Sequence, residues 1–382
     1  MVQFLHTADL QLGKPFNWAD PERARPALKE AREEAISRIG EVAEQRDAAF
    51  IVIAGDLFDE NTVGDGVVTR TCHRLESDVS VPVYILPGNH DFSGSPSCVY
   101  HRSPFAQLKP DHVVVLDQPD PYVVGERGEA APEEDVVILP APVQRRNERG
   151  DPTSHIDAEF GHGRAPEALR IGLAHGGVEA FGEGEAASRI DSSRARRADL
   201  DYLALGDWHG TKEVTPRTWY SGTPEPDSFK QNDPGNILSV TVTRSGEAPS
   251  VEPVETGQYR WKKTTMTLQG EEDLEALSQT LAEIDDPLHT LVRMELSGAL
   301  GLDAQSRLDQ IKERLENTVL AVRHRGEVRP TATAGEIESM AGEGYVGATV
   351  EALQQQSQGD GDEAAAADRA LQLLYRFHHG EG

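Results

Sequence analysis

Five times along the chain, a short apolar segment runs directly into a cluster of glycine and polar residues. The apolar segments have the length and composition of buried strands, and helical segments fill several of the intervals between them. This alternation predicts an α/β sandwich whose ligands lie just beyond the carboxyl ends of the strands. The five clusters are Asp9-Leu10-Gln11, Gly55-Asp56-Leu57-Phe58-Asp59, Gly88-Asn89-His90-Asp91, Ala174-His175-Gly176-Gly177 and Gly206-Asp207-Trp208-His209.

The first 250 residues carry most of the predicted strands and two predicted helices. The helices are Pro21–Arg46, in which apolar residues recur among charges, and Val67–Leu75. The strands are Val2–Leu5, Phe50–Ala54, Val81–Leu86, His112–Leu116, Asp135–Leu139, Leu169–Ala174, Tyr202–Leu205 and Ile237–Val242. Because several strands end at a polar cluster, we expect the clusters to meet at one edge of the sandwich.

A second, smaller unit is predicted after Tyr259, where the pattern becomes a short β-α-β-α-β series. Its strands are Trp261–Leu268, His289–Leu296 and Val319–His324, and its helices are Glu271–Ile284 and Ala304–Glu316. Beyond Thr331 the chain is rich in Gly, Gln and Ala, with candidate helices at Gly344–Gln354 and Ala364–Phe377. We therefore divide the chain into residues 1–258, 259–330 and 331–382.

The polar side chains of the five clusters form a mixed set of oxygen and nitrogen ligands. Carboxylates, imidazoles and an amide oxygen together suit manganese, iron or zinc. Asp9, Asp56 and Asp207 would repel one another at a shared edge, and two divalent cations would neutralise them. Taken singly, each cluster is also explained by a helix cap, a turn or a structural histidine. All five in this order favour a metal site.

The order and content of the five clusters resemble the motif series of the calcineurin-like metallophosphoesterases. Three segments are most similar to the SbcD-like DNA repair exonucleases of that superfamily: His6-Thr7-Ala8-Asp9, Gly55-Asp56-Leu57-Phe58-Asp59 and Tyr220-Ser221-Gly222-Thr223-Pro224-Glu225. The likeness covers the first ~260 residues in motifs and the remainder only in layout. It implies a metallophosphoesterase β-sandwich flanked by helices, with a smaller α+β capping domain and a helical C-terminal tail.

The resemblance implies a site for two divalent metal ions. The implied ligands are Asp9 and His209 for the first metal, Asn89 and His175 for the second, and Asp56 as the bridge between them. Mn²⁺ is the expected metal, with Mg²⁺, Fe²⁺ and Zn²⁺ as alternatives. The implied reaction is hydrolysis of a phosphodiester bond by water that the metals hold and activate.

His90 is implied to act on the substrate instead of binding metal. It would face the phosphate, positioned by Asp59, and would stabilise the transition state or protonate the leaving sugar oxygen. The alternative is that His90 is a structural histidine that supports the metal ligands.

Two positions depart from the pattern of the family. Gln11 stands where the family usually has the histidine of Asp-x-His, and Asp207 stands at the first histidine of Gly-His-x-His. Asp207 still offers a ligand, and its carboxylate favours manganese or magnesium. Gln11 offers only an amide oxygen, which predicts a weaker first metal. One interpretation is a subgroup with an altered metal preference; the other is a protein that binds nucleic acid or phosphate but cuts slowly.

The net charge of -28 opposes a nucleic-acid partner, because contacts to phosphate call for Lys and Arg. The basic residues are 8 Lys and 29 Arg, and the acids are spread along the whole chain, which resembles the proteins of salt-loving organisms. Molar salt screens surface charge within ~3 Å, so we expect a halophilic source. The alternative is an ordinary acidic protein whose partner is not nucleic acid.

Local basic clusters are the candidate DNA contacts, since Arg and Lys side chains bind phosphate. A solvated, ion-paired surface explains any one of them equally well. The DNA-binding candidates are Arg194, Arg196, Arg197, Lys262 and Lys263.

The SbcD-like resemblance also implies an SMC-like coiled-coil ATPase as a partner, and a homodimer. A candidate docking face on the last predicted helix consists of Leu371, Leu374, Tyr375 and Phe377. An amphipathic helix that folds back on its own domain gives the same pattern. No segment approaches the ~18 to 20 apolar residues of a membrane span, so we expect a cytoplasmic protein without a membrane partner.

These patterns together predict a metal-dependent DNA exonuclease of DNA repair, with single-strand endonuclease activity as a further expectation. Two alternatives stay open on the sequence alone. One is a metallophosphodiesterase that acts on a small phosphoester, for which the acidic surface is no obstacle. The other is a weakly active subunit that binds DNA ends. The departures at Gln11 and Asp207 favour this alternative.

Overall fold

A computed structural model describes residues 1–178, 189–243, 246–330, 345–359 and 361–378 of the chain. The chain divides into two compact units, residues 1–260 and 261–382. The predicted subdivision of the second unit at residue 330 stays a prediction.

The first unit alternates strands with helices in the order that the apolar pattern predicts. Its strands are β1 (Val2–Thr7), β2 (Ile51–Ala54), β3 (Val83–Leu86), β4 (Val113–Val115), β5 (Tyr122–Val123), β6 (Val136–Ala141), β7 (Leu169–His175), β8 (Gly177–Val178), β9 (Arg189–Ile190), β10 (Tyr202–Gly206), β11 (Lys212–Thr215), β12 (Thr218–Tyr220), β13 (Asn236–Val242) and β14 (Ser250–Glu255). Its helices are α1 (Ala24–Gln45), α2 (Asp65–Asp78), α3 (Ser103–Leu108) and α4 (Arg194–Arg197). All eight predicted strands of this unit are present. The prediction missed β5, β8, β9, β11, β12 and β14, which are too short or too polar to give an apolar run.

Two six-stranded sheets carry the first unit. Their strand orders are β14-β13-β1-β2-β3-β4 and β11-β12-β10-β7-β6-β5. In the first sheet β1 to β4 are parallel neighbours, and β13 pairs antiparallel with β1. In the second sheet β6, β7, β10 and β12 are parallel. The predicted α/β class is therefore confirmed.

Inward-facing side chains of both sheets form the core between them. Phe4 and Tyr84 of the first sheet pack with Ile138, Ile171 and Tyr202 of the second. Full burial of one such apolar side chain stabilises the folded state by about 1.5–3 kcal/mol. On its other face the first sheet is covered by the apolar sides of α1, α2 and α3. This packing fixes the strand ends, and with them the polar clusters.

The second unit has the predicted β-α-β-α-β order. Its elements are β15 (Arg260–Leu268), α5 (Glu271–Ala282), β16 (Thr290–Leu300), α6 (Leu302–Thr318), β17 (Ala321–Arg325), β18 (Val328–Pro330), α7 (Tyr345–Ser357) and α8 (Asp362–His378). Strand β16 pairs with β15, β17 and β18, of which only β18 was not predicted. Leu274 and Leu277 of α5 and Leu308 of α6 pack with Val292 and Met294 of β16.

Helices α7 and α8 lie where helices were predicted. Leu371 of α8 is only 2 % exposed, so it packs within the chain and its prediction as part of a docking face is wrong. Leu374 is half-buried, and the side chains of Tyr375 and Phe377 lie outside the described residues. Within the described ranges, no helix is both long enough and apolar enough to cross a membrane.

Candidate metal centre

The turns after β1, β2 and β10 hold three aspartates in a rare backbone conformation. Asp9 (φ 56°), Asp56 (φ 56°) and Asp207 (φ 94°) have positive φ angles, as does Gln11 (φ 43°). Asp enters this left-handed region more readily than bulkier residues, because its short side chain can bond locally. The chain therefore turns sharply at each strand end and places its polar side chain at the edge of the sandwich.

Glycines beside these turns are required by close packing. A Cβ atom at Gly55 would lie 2.1 Å from Nδ1 of His175. A Cβ atom at Gly88 would lie 2.2 Å from Oδ1 of Asp56. Contacts this short do not occur between such atoms, so any larger residue would displace a candidate ligand. Glycine therefore allows the close approach of the backbone to the ligand at both positions.

The structure brings the predicted ligands of all five clusters together. The donor atoms of Asp9, Asp56 and His175 all lie within 4.8 Å of one another, and all three residues are buried. Three further pairs of side chains bring Asn89, Asp207 and His209 into the same group. Asn89 Nδ2 lies 3.3 Å from Asp207 Oδ1, His175 Nε2 lies 3.8 Å from Asp207 Oδ1, and His209 Nε2 lies 4.0 Å from Asp9 Oδ1.

Two unpaired buried atoms test whether these residues fit a metal. His175 donates from Nδ1 to the Ala54 carbonyl oxygen at 2.8 Å, so the lone pair of its Nε2 faces the group. His175 Nε2 and Asn89 Oδ1 are both buried without a hydrogen-bond partner. Buried polar atoms are normally satisfied, and carboxylates beside an imidazole and an amide oxygen suit a divalent transition metal. The residues present therefore fit metal ions.

The pKa shifts of the two buried aspartates reflect this crowding. Burial raises the pKa of Asp9 to about 6, although the nearby His209 and His175 oppose the shift. Burial would also raise the pKa of Asp56, but the charges and hydrogen bonds of His175 and His90 hold it at about 2. The carboxylate of Asp56 is thus held in its charged form, the form that could bind a cation, and its predicted role as a bridge stays a prediction.

His90 lies at the exposed side of the group. Its Nδ1 donates to the main-chain carbonyl oxygen of Asp59 at 2.7 Å, and its Nε2 lies 3.9 Å from Asp56 Oδ2. The side chain is 29 % exposed. This hydrogen bond uses the carbonyl group of Asp59, which any residue could supply, so the predicted role of Asp59 stays a prediction.

Asp91 ties two of the ligand turns together, a role that was not predicted from the sequence. Its buried carboxylate accepts hydrogen bonds from the amide groups of Gly88 (2.7 Å) and Phe58 (3.1 Å) and from the Tyr100 hydroxyl. Burial, with the charge of Asp56, raises the pKa of Asp91 to about 6. Its place as fourth residue of the Gly88-Asn89-His90-Asp91 cluster was the available signal.

Arg32 of α1 is a fully buried arginine that holds the turn after β1. It donates to the carbonyl oxygens of Leu10 (2.7 Å), Asp9 (2.8 Å) and Glu225 (2.9 Å). The Glu225 carboxylate in turn accepts the Gln258 and Tyr259 amide groups at 2.8 and 3.0 Å. A charged residue within a helix gives no sequence signal for this, because helical charges usually face solvent.

The side chains around His209 differ from the predicted set. His209 donates from Nδ1 to Asp227 Oδ2 at 3.0 Å, which turns Nε2 toward the group. Lys14 donates to the same Asp227 oxygen and, at 2.6 Å, to Gln11 Oε1. The Gln11 amide nitrogen lies 3.4 Å from His209 Nε2. Lys14 and Asp227 were missed because they lie outside the five clusters.

The candidate DNA contacts have different environments. Arg194 is buried, donating to Asp151 Oδ2 (2.6 Å), Thr153 Oγ1 (3.0 Å) and the Ile156 carbonyl oxygen (3.1 Å), so its prediction as a DNA contact is wrong. Its guanidinium instead anchors the long loop before β7. The remaining four candidates are exposed or partly exposed; Arg197 pairs with Asp191 at 2.8 Å and Lys263 with Glu295 at 2.7 Å. Arg196 and Lys262 are exposed.

The candidate metal centre agrees with the protein family that the sequence matches. The model of the calcineurin-like phosphoesterase family matches residues 2–235, which is more than half of the chain. The chain belongs to this family. It is therefore a metal-dependent phosphoesterase, and the Asp9, Asp56 and His175 group is its candidate metal site.

Three known proteins are similar in sequence to this chain. The chain is 23 % identical over 332 residues to an uncharacterized metallophosphoesterase, YhaO, of Bacillus subtilis, with 82 % of this chain and 77 % of that protein aligned. It is 35 % identical over 106 residues to the DNA double-strand break repair protein Mre11 of Archaeoglobus fulgidus, covering 26 % of this chain and 22 % of that one. Over 93 residues it is 29 % identical to the D subunit of the nuclease SbcCD of Staphylococcus epidermidis, covering 24 % and 23 % of the two chains.

Proposed function

We propose that this metallophosphoesterase is a metal-dependent DNA nuclease, an exonuclease that also cuts single strands, with manganese as its metal. The supporting observation is the open side of the metal group. Asp207 is 37 % and His90 29 % exposed, so a phosphate within a long strand can reach both. The segments shared with proteins named as a DNA repair protein and a nuclease subunit favour DNA over a small phosphoester.

In this proposal the metal ligands and His90 have separate tasks. The residues that would hold the metals are Asp9, Asp56, Asn89, His175, Asp207 and His209. Bound divalent metals supply positive charge for the phosphoryl oxygens and lower the pKa of water. His90 keeps its Nδ1–H on the Asp59 carbonyl oxygen, and in the doubly protonated form of the ring its Nε2–H can donate to a phosphate oxygen or pass its proton to the leaving sugar oxygen.

A substrate panel tests the choice of DNA. The substrates are single-stranded DNA, 3′-labelled duplex ends and bis-nitrophenyl phosphate, each with manganese, magnesium or zinc, at low and at molar KCl. We expect cleavage of both DNA substrates, most rapid with manganese. Turnover of bis-nitrophenyl phosphate alone would favour a small phosphoester, and DNA binding without cleavage would favour a DNA-end-binding subunit.

The role of His90 is tested in the same assay with His90→Ala. We expect a loss of duplex cleavage of about 100-fold or more, the range of a general acid. His73→Ala, an exposed histidine on α2, is the matched control and is expected to cleave at the wild-type rate. Equal cleavage by wild type and His90→Ala would overturn the proposed role.

Partners follow only from the resemblance and are proposals. An SMC-like ATPase would bind through α7 and α8, and two copies of the chain would form a homodimer. Copurification and mass measurement of the full chain test both. A cytoplasmic location and a halophilic source also stay predictions.

A further inference from the structure

The two halves of the metal group differ in what faces their ligand atoms. Around His175 and Asn89, ligand atoms are buried and unpaired. Around His209, the Nε2 atom already has the Gln11 amide nitrogen at 3.4 Å, and the Lys14 ammonium group lies behind that amide. The side with His175 and Asn89 thus presents acceptor atoms without a hydrogen-bond partner, whereas the side with His209 contains the Lys14 cation.

Lys14 determines which end of the Gln11 amide faces the metal group. An ammonium group has only donors, so it requires the amide oxygen of Gln11, which it holds at 2.6 Å. The amide nitrogen then points at His209 Nε2. If the Gln11 amide rotated to offer its oxygen to a metal, its Nε2 amide group would face the Lys14 Nζ ammonium group. Both groups are donors, so this contact is unfavourable.

Asp227 keeps Lys14 in this position. Its carboxylate accepts both the Lys14 ammonium group and the Nδ1–H group of His209. Asp227 is buried, and Lys14 is only 24 % exposed, so water screens this contact weakly. The Lys14 charge therefore stays close to the first metal position.

We propose that Lys14 locks Gln11 as a hydrogen-bond donor, so that Gln11 is not a metal ligand and the first position binds divalent metal far more weakly than the second. The first position then has Asp9, His209 and the Asp56 bridge, beside a positive charge. The second has Asp56, Asn89, His175 and Asp207, with no such charge among their described contacts. This inference rests on the metal dependence within the proposed function and not on DNA as the substrate.

Titration calorimetry of the metal-free full chain with Mn²⁺ tests the proposal, and electron paramagnetic resonance counts the bound ions. We expect two equivalents whose dissociation constants differ by about 100-fold or more. Lys14→Met, which keeps the length but removes the donors, should tighten the weaker equivalent by about tenfold or more. Lys14→Arg keeps the donors and should retain the wild-type difference, as should Lys29→Met at an exposed lysine of α1.

A second variant keeps the test valid if Lys14→Met fails to fold. Gln11→Met removes the amide, and because Gln11 is not a ligand, the weaker affinity should change by no more than about threefold. A tenfold loss in Gln11→Met, two equal equivalents in the wild type, or an unchanged weaker affinity in a folded Lys14→Met would each overturn the proposal. Weak first-site binding with no DNA cleavage would overturn the proposed nuclease function alone.

Discussion

The two units use charged residues in opposite ways. In the first unit Arg32, Glu225 and Asp91 are buried, and each forms hydrogen bonds with two or more backbone groups. In the second unit Arg307 pairs with Glu271 and Glu275 across the surface of α5 and α6, with all three side chains 42 to 57 % exposed. A charge removed from water costs free energy that only well-placed partners offset, whereas an exposed pair gains little.

This difference explains how so acidic a chain keeps an ordered site. Most of its acidic residues lie at the surface, where they contribute to solubility more than to the fold. Several of the few buried charges, Arg32 and Asp91 among them, hold the turns that carry the candidate metal ligands. The charge that matters for function is therefore concentrated in the first unit, and substitutions should have graded effects accordingly.

The largest effect is expected at Asp56, the proposed bridge between the two metal positions. Asp56→Asn keeps a residue that tolerates the positive φ but removes the charge between the two metal positions. We expect turnover of bis-nitrophenyl phosphate with manganese to fall at least about 1000-fold, about 4 kcal/mol of barrier. Asp111→Asn, at an exposed aspartate, is the control. Activity within tenfold of wild type would contradict the assigned bridge.

The next effect is on the stability of the first unit. Arg32→Met leaves the carbonyl oxygens of Leu10, Asp9 and Glu225 buried without their donor. The free energy of unfolding in urea should fall by about 3–5 kcal/mol. Arg46→Met removes the partner of the exposed Glu252, in a pair whose two side chains are 36 % and 58 % exposed, and should cost less than half as much. Equal losses would mean that burial does not set the contribution of these arginines.

A smaller, pH-dependent effect is expected at His6. This histidine is buried between the sheets with Nδ1 2.9 Å from the Tyr202 hydroxyl, and burial lowers its pKa to about 3. Between pH 6.5 and 3 the unfolded chain binds a proton at His6 that the folded chain does not. Stability should thus fall as the pH falls through this window, by about 1.4 kcal/mol per unit.

His6→Gln isolates that contribution. The difference in unfolding free energy between wild type and variant, measured at pH 6.5 and 5.5, should change by about 1 kcal/mol in favour of the variant at the lower pH, because half of the unfolded chains are already protonated at His6 at pH 6.5. His73→Gln controls for the loss of an imidazole. A constant difference across these pH values would show that His6 titrates alike in both states.

The smallest effect is expected at the surface of the second unit. Arg307→Ala removes its pairs with Glu271 and Glu275, and the free energy of unfolding should fall by less than about 1 kcal/mol. The loss should shrink further in molar KCl, because salt screens exposed charges. A double-mutant cycle with Glu275→Ala measures the pair itself. A loss as large as that of Arg32→Met would remove the contrast between the units.

Much of the fold was predictable because burial leaves a direct mark on the sequence. Strands such as β2 and β3 are buried along their whole length and appear as continuous apolar runs. The five clusters come together because each follows such a strand. Short elements such as β8 and β9, with two residues each, carry no pattern of their own and depend on their neighbours.

The supporting residues of the site were not predictable for a different reason. Lys14 and Asp227 are 213 positions apart in the sequence, and both lie outside the five clusters. Nothing in the sequence therefore indicates that they contact each other. Arg194 was misjudged because a basic run looks the same whether it faces DNA or, as here, is buried against Asp151. Only the fold determines which arginine in a run is buried.

The hydrogen bonds of Glu225 also determine where the polypeptide can be shortened. Its carboxylate accepts the amide groups of Gln258 and Tyr259, which follow the last strand of the first sheet. A polypeptide that stopped at Glu255 would remove both amide donors and leave that buried carboxylate to its ion pair with Arg38. Residues 256–259 are therefore part of the catalytic unit by their bonding, although they look like a linker in the sequence.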